Sequence, residues 1–119
     1  MVEEPGSQQL ISVEARQCIE ATSDCYQACA ETLNYSLNGG AFADFVLMRR
    51  LIDCSEAVQA AQNALLRGSE VALMLAAVCV EACENVAERC RSLGDSDPQL
   101  AACAEVCDET AEACRRLAI

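Results

Sequence analysis

Residues 79–93 read CVEACENVAERCRSL, and residues 103–117 read CAEVCDETAEACRRL. In both, cysteine recurs four and then seven residues on, with Glu, Asp, Asn and Arg between. That is the period of one face of an α-helix and not of a strand, which would repeat every second residue. Residues 18–29, CIEATSDCYQAC, carry the same pattern in a third place. All three are variants of one frame, C-x3-C-x2-C-x3-C, each lacking one member. The positions without cysteine are Thr22, Val86 and Thr110. Cys54 stands alone in a fourth apolar segment, with Val58 one turn further on.

Working outward from these stretches, few strong breakers interrupt the 119 residues. They are Pro5-Gly6-Ser7, Gly39-Gly40, Gly68-Ser69 and the run Leu93 to Pro98. The segments between are rich in Ala, Leu, Glu, Gln and Arg, which favour helix. Asp97-Pro98 reads as an N-cap and first helical position, and Ser69-Glu70 reads similarly. Gly68 and Gly94 suit helix C-termini. The pattern predicts helices at roughly 10–37, 41–66, 70–93 and 98–117, after a flexible tail over 1–9. Connections this short join antiparallel neighbours, so the expected fold is all-α: a single up-down-up-down four-helix bundle over 10–119.

The inward stripes follow from steps of three and four. They are Ala15, Cys18, Thr22, Cys25, Cys29 and Leu33; Leu47, Leu51, Cys54, Val58, Ala61 and Leu65; Ala72, Ala76, Cys79, Cys83, Val86 and Cys90; and Leu100, Cys103, Cys107, Thr110, Cys114 and Leu117. All ten cysteines fall on them. Counting along antiparallel helices at about 1.5 Å per residue places Cys25, Cys29, Cys54, Cys79, Cys83 and Cys107 in the middle third. Cys90 and Cys103 belong near the end that carries the first and third loops, and Cys18 and Cys114 near the other. Thiols strung along the axis, with no single compact site, are the expectation.

Composition removes several function classes. The net charge is −11, His and Trp are absent, the eight basic residues are all Arg, and aromatics are few. That argues against nucleic-acid binding. No apolar run reaches the length of a membrane span. The start, MVEEPGS, lacks the basic and apolar parts of a signal peptide, so a cytoplasmic protein is expected. Without histidine no Ser-His-Asp constellation can form, there is no phosphate loop, and no Cys-x-x-Cys redox pair exists; an enzyme is not expected. Arg49-Arg50 and Arg115-Arg116 read as solvated or paired with surface carboxylates. Met48 and Met74 read as core or interface residues.

Soft thiolates select Cu(I), zinc or iron–sulfur clusters. Charge separates them. A four-thiolate zinc centre keeps two negative charges, and the inward stripes hold no arginine to offset them. Burying uncompensated charge is costly. Equal numbers of Cu(I) and bridging thiolates sum to zero. Unmetallated thiols are small hydrophobes, so the bundle can fold empty. The expected function is therefore storage of multiple Cu(I) ions on Cys18, Cys25, Cys29, Cys54, Cys79, Cys83, Cys90, Cys103, Cys107 and Cys114. Alternatives are a structural or interaction bundle with filler or disulfide-bonded cysteines, or a zinc or iron–sulfur module. Iron–sulfur ligand sets more often show clustered Cys-x2-Cys loops, which are absent.

The frame in residues 18–29, 79–93 and 103–117 resembles the bacterial copper storage proteins, and the likeness runs from about Cys18 to Arg116. It implies a four-helix bundle filled with Cu(I) on core cysteines, here the ten just named. It also implies a homotetramer, cytosolic where a leader is lacking. Copper ions are the implied cargo, with a copper chaperone as candidate donor. Thr22, Val58, Val86 and Thr110 stand where the family frame has cysteine, which implies a lower capacity, and the histidines that the family carries near one mouth, on the ion's entry and exit route, are missing. Independently, Phe42, Phe45, Val46 and Ile52 cannot all face inward with Leu47, Leu51 and Cys54. The second helix is therefore expected to contribute to a homo-oligomeric contact.

Overall fold

The computed structural model describes residues 11–94 and 96–118, with only the backbone of Ala41, Phe42 and Ala118. The tail expected over 1–9 lies outside them. Four α-helices account for the described fold: α1 (Val13–Leu37), α2 (Phe45–Leu66), α3 (Ala72–Leu93) and α4 (Pro98–Ala118). Each packs on the next, and α4 closes against α1. This is the antiparallel four-helix bundle that the breakers predict.

The helix ends show what fixes the boundaries. Ser12 caps α1, its hydroxyl accepting from the Ala15 amide at 3.0 Å. The second helix begins at Phe45 rather than at 41, because Asp44 is its cap. Asp44 is extended and its carboxylate accepts from the Leu47 amide at 2.7 Å. Residues Gly40–Ala43 form a separate 3-10 turn. The third helix begins at Ala72, two residues later than expected. The Ser69 hydroxyl accepts from Val71 at 3.2 Å and so closes a turn ahead of the helix, leaving α3 without a side-chain cap. Asp97 caps α4, accepting from Gln99 and Leu100 amides at 3.0 and 3.2 Å. Gly68, at φ +67°, ends α2. Its amide reaches Leu65 O, and the Ser69 amide reaches Ala64 O at 2.8 Å. That paired arrangement satisfies carbonyls the helix leaves open.

Polar ties gather at the end that carries the α1–α2 and α3–α4 connections. Arg89 of α3 grips Asp44 through two hydrogen bonds, of 3.1 and 2.6 Å. That guanidinium, together with the Leu47 amide, holds the Asp44 carboxyl below the usual carboxylate range. Tyr35 donates to Asp97 at 2.8 Å, and Gln99 donates to Thr32 at 3.0 Å. Gly40 passes so close to the Tyr35 ring that a Cβ would meet it at 2.5 Å. The basic residues sit outside: Arg50 pairs with Glu88, Arg115 with Glu84, and Arg116 with Glu112.

The core is slender. Its largest fully buried side chains are Leu47, Leu51, Leu100, Val58 and Val86, with Thr22, Thr32 and Thr110. Alanine and cysteine make up most of the remainder. Cysteine here does the packing work of a small apolar side chain. The inward face of α1 differs from the sequence reading near its end: Thr32 and Ser36 are buried, whereas Leu33 is only partly so. On α2 the buried residue is Ala64 and not Leu65. In both cases two adjacent residues meet the three-or-four spacing. The sequence reading chose the larger apolar one, but the narrow gap between helices takes the smaller.

Candidate metal centre

All ten cysteines are buried, and all ten are free thiols. The buried polar residues among those described are Thr22, Thr32, Ser36 and Thr110, so no charged side chain accompanies the sulfurs. The thiol-lined interior is shielded from solvent and, among the described residues, holds no cationic side chain.

Each helix supplies one sulfur to a central layer. Cys25 Sγ lies 3.8 Å from Cys54, 3.8 Å from Cys83 and 3.9 Å from Cys107, and Cys54 lies 3.7 Å from Cys83. Cys29, one turn along α1, joins them: the sulfurs of Cys25, Cys29, Cys54 and Cys107 all lie within 4.8 Å of one another. The expectation of no single compact site therefore fails at the centre. Similar heights along four antiparallel helices bring the sulfurs together, and the small residues around them let the helices close in.

From this layer the row continues upward. Cys103 interacts with Cys29 and Cys107, and Cys90 with Cys103. Thr32 faces Cys103 at that end. In the other direction the row breaks. About 5 Å below the centre, at 1.5 Å per residue, come Thr22, Val58 and Thr110. Thr22 donates to Cys18 O at 2.8 Å, and Thr110 donates to Val106 O at 2.8 Å. Cys79 shares this level, but its thiol donates to Ala57 O at 3.2 Å. Beyond it, Cys18 and Cys114 meet at 3.4 Å, and Cys79 interacts with Cys114. The structure thus gathers Cys25, Cys29, Cys54, Cys83, Cys90, Cys103 and Cys107 into one group and Cys18, Cys79 and Cys114 into another.

The titration of these groups follows from the same geometry. The Cys18 thiol is pushed far up by its hydrogen bond to Cys114 and by burial. At Cys114 the Cys18 hydrogen bond pulls down, but Cys79 and burial outweigh it, and the thiol is pushed up to about 12. In the centre the sulfurs titrate as a set. Hydrogen bonds from Cys107, Cys29, Cys54 and Cys83 hold Cys25 low. Cys103 and then Cys25 hold Cys107 high, since it keeps the shared proton.

Thr32 is a polar lining residue that the sequence reading passed over. Its signal was present, since it stands three residues after Cys29, but a threonine on a cysteine stripe carries no metal signature of its own.

Taken together, the fold and the thiol row define a class: a four-helix bundle whose core is an array of free cysteines able to coordinate a soft metal ion. The family model for copper storage protein matches residues 11–119. The chain belongs to the copper storage protein family. It is also similar to a solved structure, that of the Nmul_A1745 protein from Nitrosospira multiformis. The two are 30% identical, with a TM-score of 0.79, covering 88% of this chain and 94% of the other. No curated protein matches the chain. Among the described residues, no helix is long and apolar enough to cross a membrane.

Proposed function

We propose that this protein stores multiple Cu(I) ions on its ten cysteines. The observation that carries the reading is the absence, among the described residues, of any buried charged side chain beside the sulfurs. Such a core favours the metal that leaves least of its thiolates' charge uncancelled. A monovalent soft ion bridged by thiolates cancels that charge one for one; a zinc ion on four thiolates leaves a double negative charge in a dry medium. The four sulfurs within 4.8 Å of one another favour zinc as the second reading, because an S4 zinc centre needs only such a group.

Copper arrives as cargo by ligand exchange. A thiol gives up its proton to solvent, a Cu–S bond forms, a bond to the donor breaks, and copper stays in the +1 state. No catalytic step is needed. The acidic surface, with a net charge of −11, attracts a free cation or a basic donor such as a copper chaperone. Cytoplasmic placement suits a protein that must keep its thiols reduced. A homotetramer in which α2 supplies part of the contact is supported by Phe45 at 76% and Ile52 at 45% exposure on that helix.

Anaerobic titration with Cu(I) against a competing chelator tests the reading. The expected result is roughly one ion per thiol where sulfurs bridge, and about half that where they do not. Saturation at one ion or none would refute storage. One tightly held zinc per chain that copper fails to displace would favour the second reading.

A further inference from the structure

The break in the thiol row has a chemical consequence. Thr22 and Thr110 stand between the two sulfur groups with their hydroxyl protons committed to backbone. Thr22 donates to Cys18 O at 2.8 Å and Ile19 O at 2.9 Å, and Thr110 donates to Val106 O at 2.8 Å and Ala21 O at 3.1 Å. Their oxygens are hard donors that Cu(I) disfavours. Val58 completes the barrier and offers no donor. Cys79, the one sulfur at this level, donates to Ala57 O at 3.2 Å. The sulfur–sulfur hydrogen bonds fall inside one group or the other: Cys18–Cys114 on one side; Cys25–Cys54, Cys25–Cys83, Cys25–Cys107 and Cys54–Cys83 on the other.

We infer that Cys18 and Cys114, with Cys79 beside them, form a discrete Cu(I) site that fills independently of the seven-thiol chamber. This rests on the storage reading and divides it. One ion bridges Cys18 and Cys114: both thiols release their protons to solvent, two Cu–S bonds replace two bonds to the donor, and copper remains Cu(I). The filled site then carries one net negative charge, half that of zinc on four thiolates. The chamber above, where sulfurs touch in several directions, shares its thiolates among several ions, and each ion there changes the affinity of the next. No sulfur–sulfur hydrogen bond joins the small site to that chamber across the threonine layer.

The test is anaerobic Cu(I) titration of the full chain against a bidentate chelator, with metal content measured per chain. The wild type is expected to show two binding classes, one of them a single ion. The double variant Cys18→Ser/Cys114→Ser should lose that class alone and keep the affinity of the rest. The double variant Thr22→Cys/Thr110→Cys should join the groups and give one class of higher capacity. Thr22→Cys/Thr110→Cys decides the matter even where the serine variant folds poorly, because it adds thiols in place of side chains of similar size. A wild type with many ions in one class, or serine substitutions that shift the affinity of every remaining ion, would overturn the division while leaving storage intact. Saturation of the wild type at one ion or none would overturn storage itself.

Discussion

Raising the pH should weaken the metal-free protein through Cys114 in particular. Its thiol is buried against Cys18 and Cys79 and pushed up to about 12, from an ordinary value of 9.0. The folded state therefore holds this proton more tightly than the unfolded chain does. The stability it contributes is complete below pH 9 and is lost as pH climbs towards 12. At pH 10 the unfolded thiol is about nine-tenths ionised and the folded one about one-hundredth. Linkage then gives a loss of about 1.4 kcal/mol relative to pH 7. For a chain of 119 residues, at about 2.1 cal/mol/K per residue, this lowers Tm by about 6 °C. The assay is thermal or urea unfolding, followed by circular dichroism, of the reduced apo-protein under anaerobic conditions from pH 7 to 10. Cys114→Ser removes the titrating group and should remove that share of the slope. Copper reverses the sign, because its ligands are already deprotonated: apparent Cu(I) affinity should rise over the same interval. An apo-protein equally stable at pH 7 and 10, or a slope that is undiminished in Cys114→Ser, would refute the reasoning.

Other consequences are testable in the same preparation. Asp97→Ala removes the cap of α4 and the acceptor of Tyr35 together, and should cost about 2 kcal/mol in urea unfolding, of which Tyr35→Phe alone accounts for about 1. If the two variants prove equally stable, the cap contributes nothing. Gly40→Ala drives a methyl group to within 2.5 Å of the Tyr35 ring. It should disrupt the Tyr35–Asp97 bond, so that it costs little further stability in a Tyr35→Phe background; full additivity of the two in a double-mutant cycle would sink this account.

The helices, their order and their antiparallel arrangement were legible in the chain because each depends on local signals. Gly68 ends α2 in the left-handed conformation and Asp97 opens α4, both in agreement with the sequence reading. The start of α2 was missed because a 3-10 turn over 40–43 obeys the same local spacing as a first helical turn. Only the position of Asp44, set by its pairing with Arg89 across the bundle, separates the two.

Periodicity placed all ten cysteines on inward faces, since burial on a helix is a question of angle and angle is written in spacing. It could not say which sulfurs touch. That depends on the relative height of four helices and on how closely small side chains let them approach, which are properties of the packed bundle. So the sequence alone determined a dry core lined with thiols and free of cations. The tertiary structure decided that Cys25, Cys54, Cys83 and Cys107 converge in one layer, and that Thr22, Val58 and Thr110 divide that layer from Cys18 and Cys114. Contacts between residues far apart in the chain arise from register across helices, and no local pattern encodes that register.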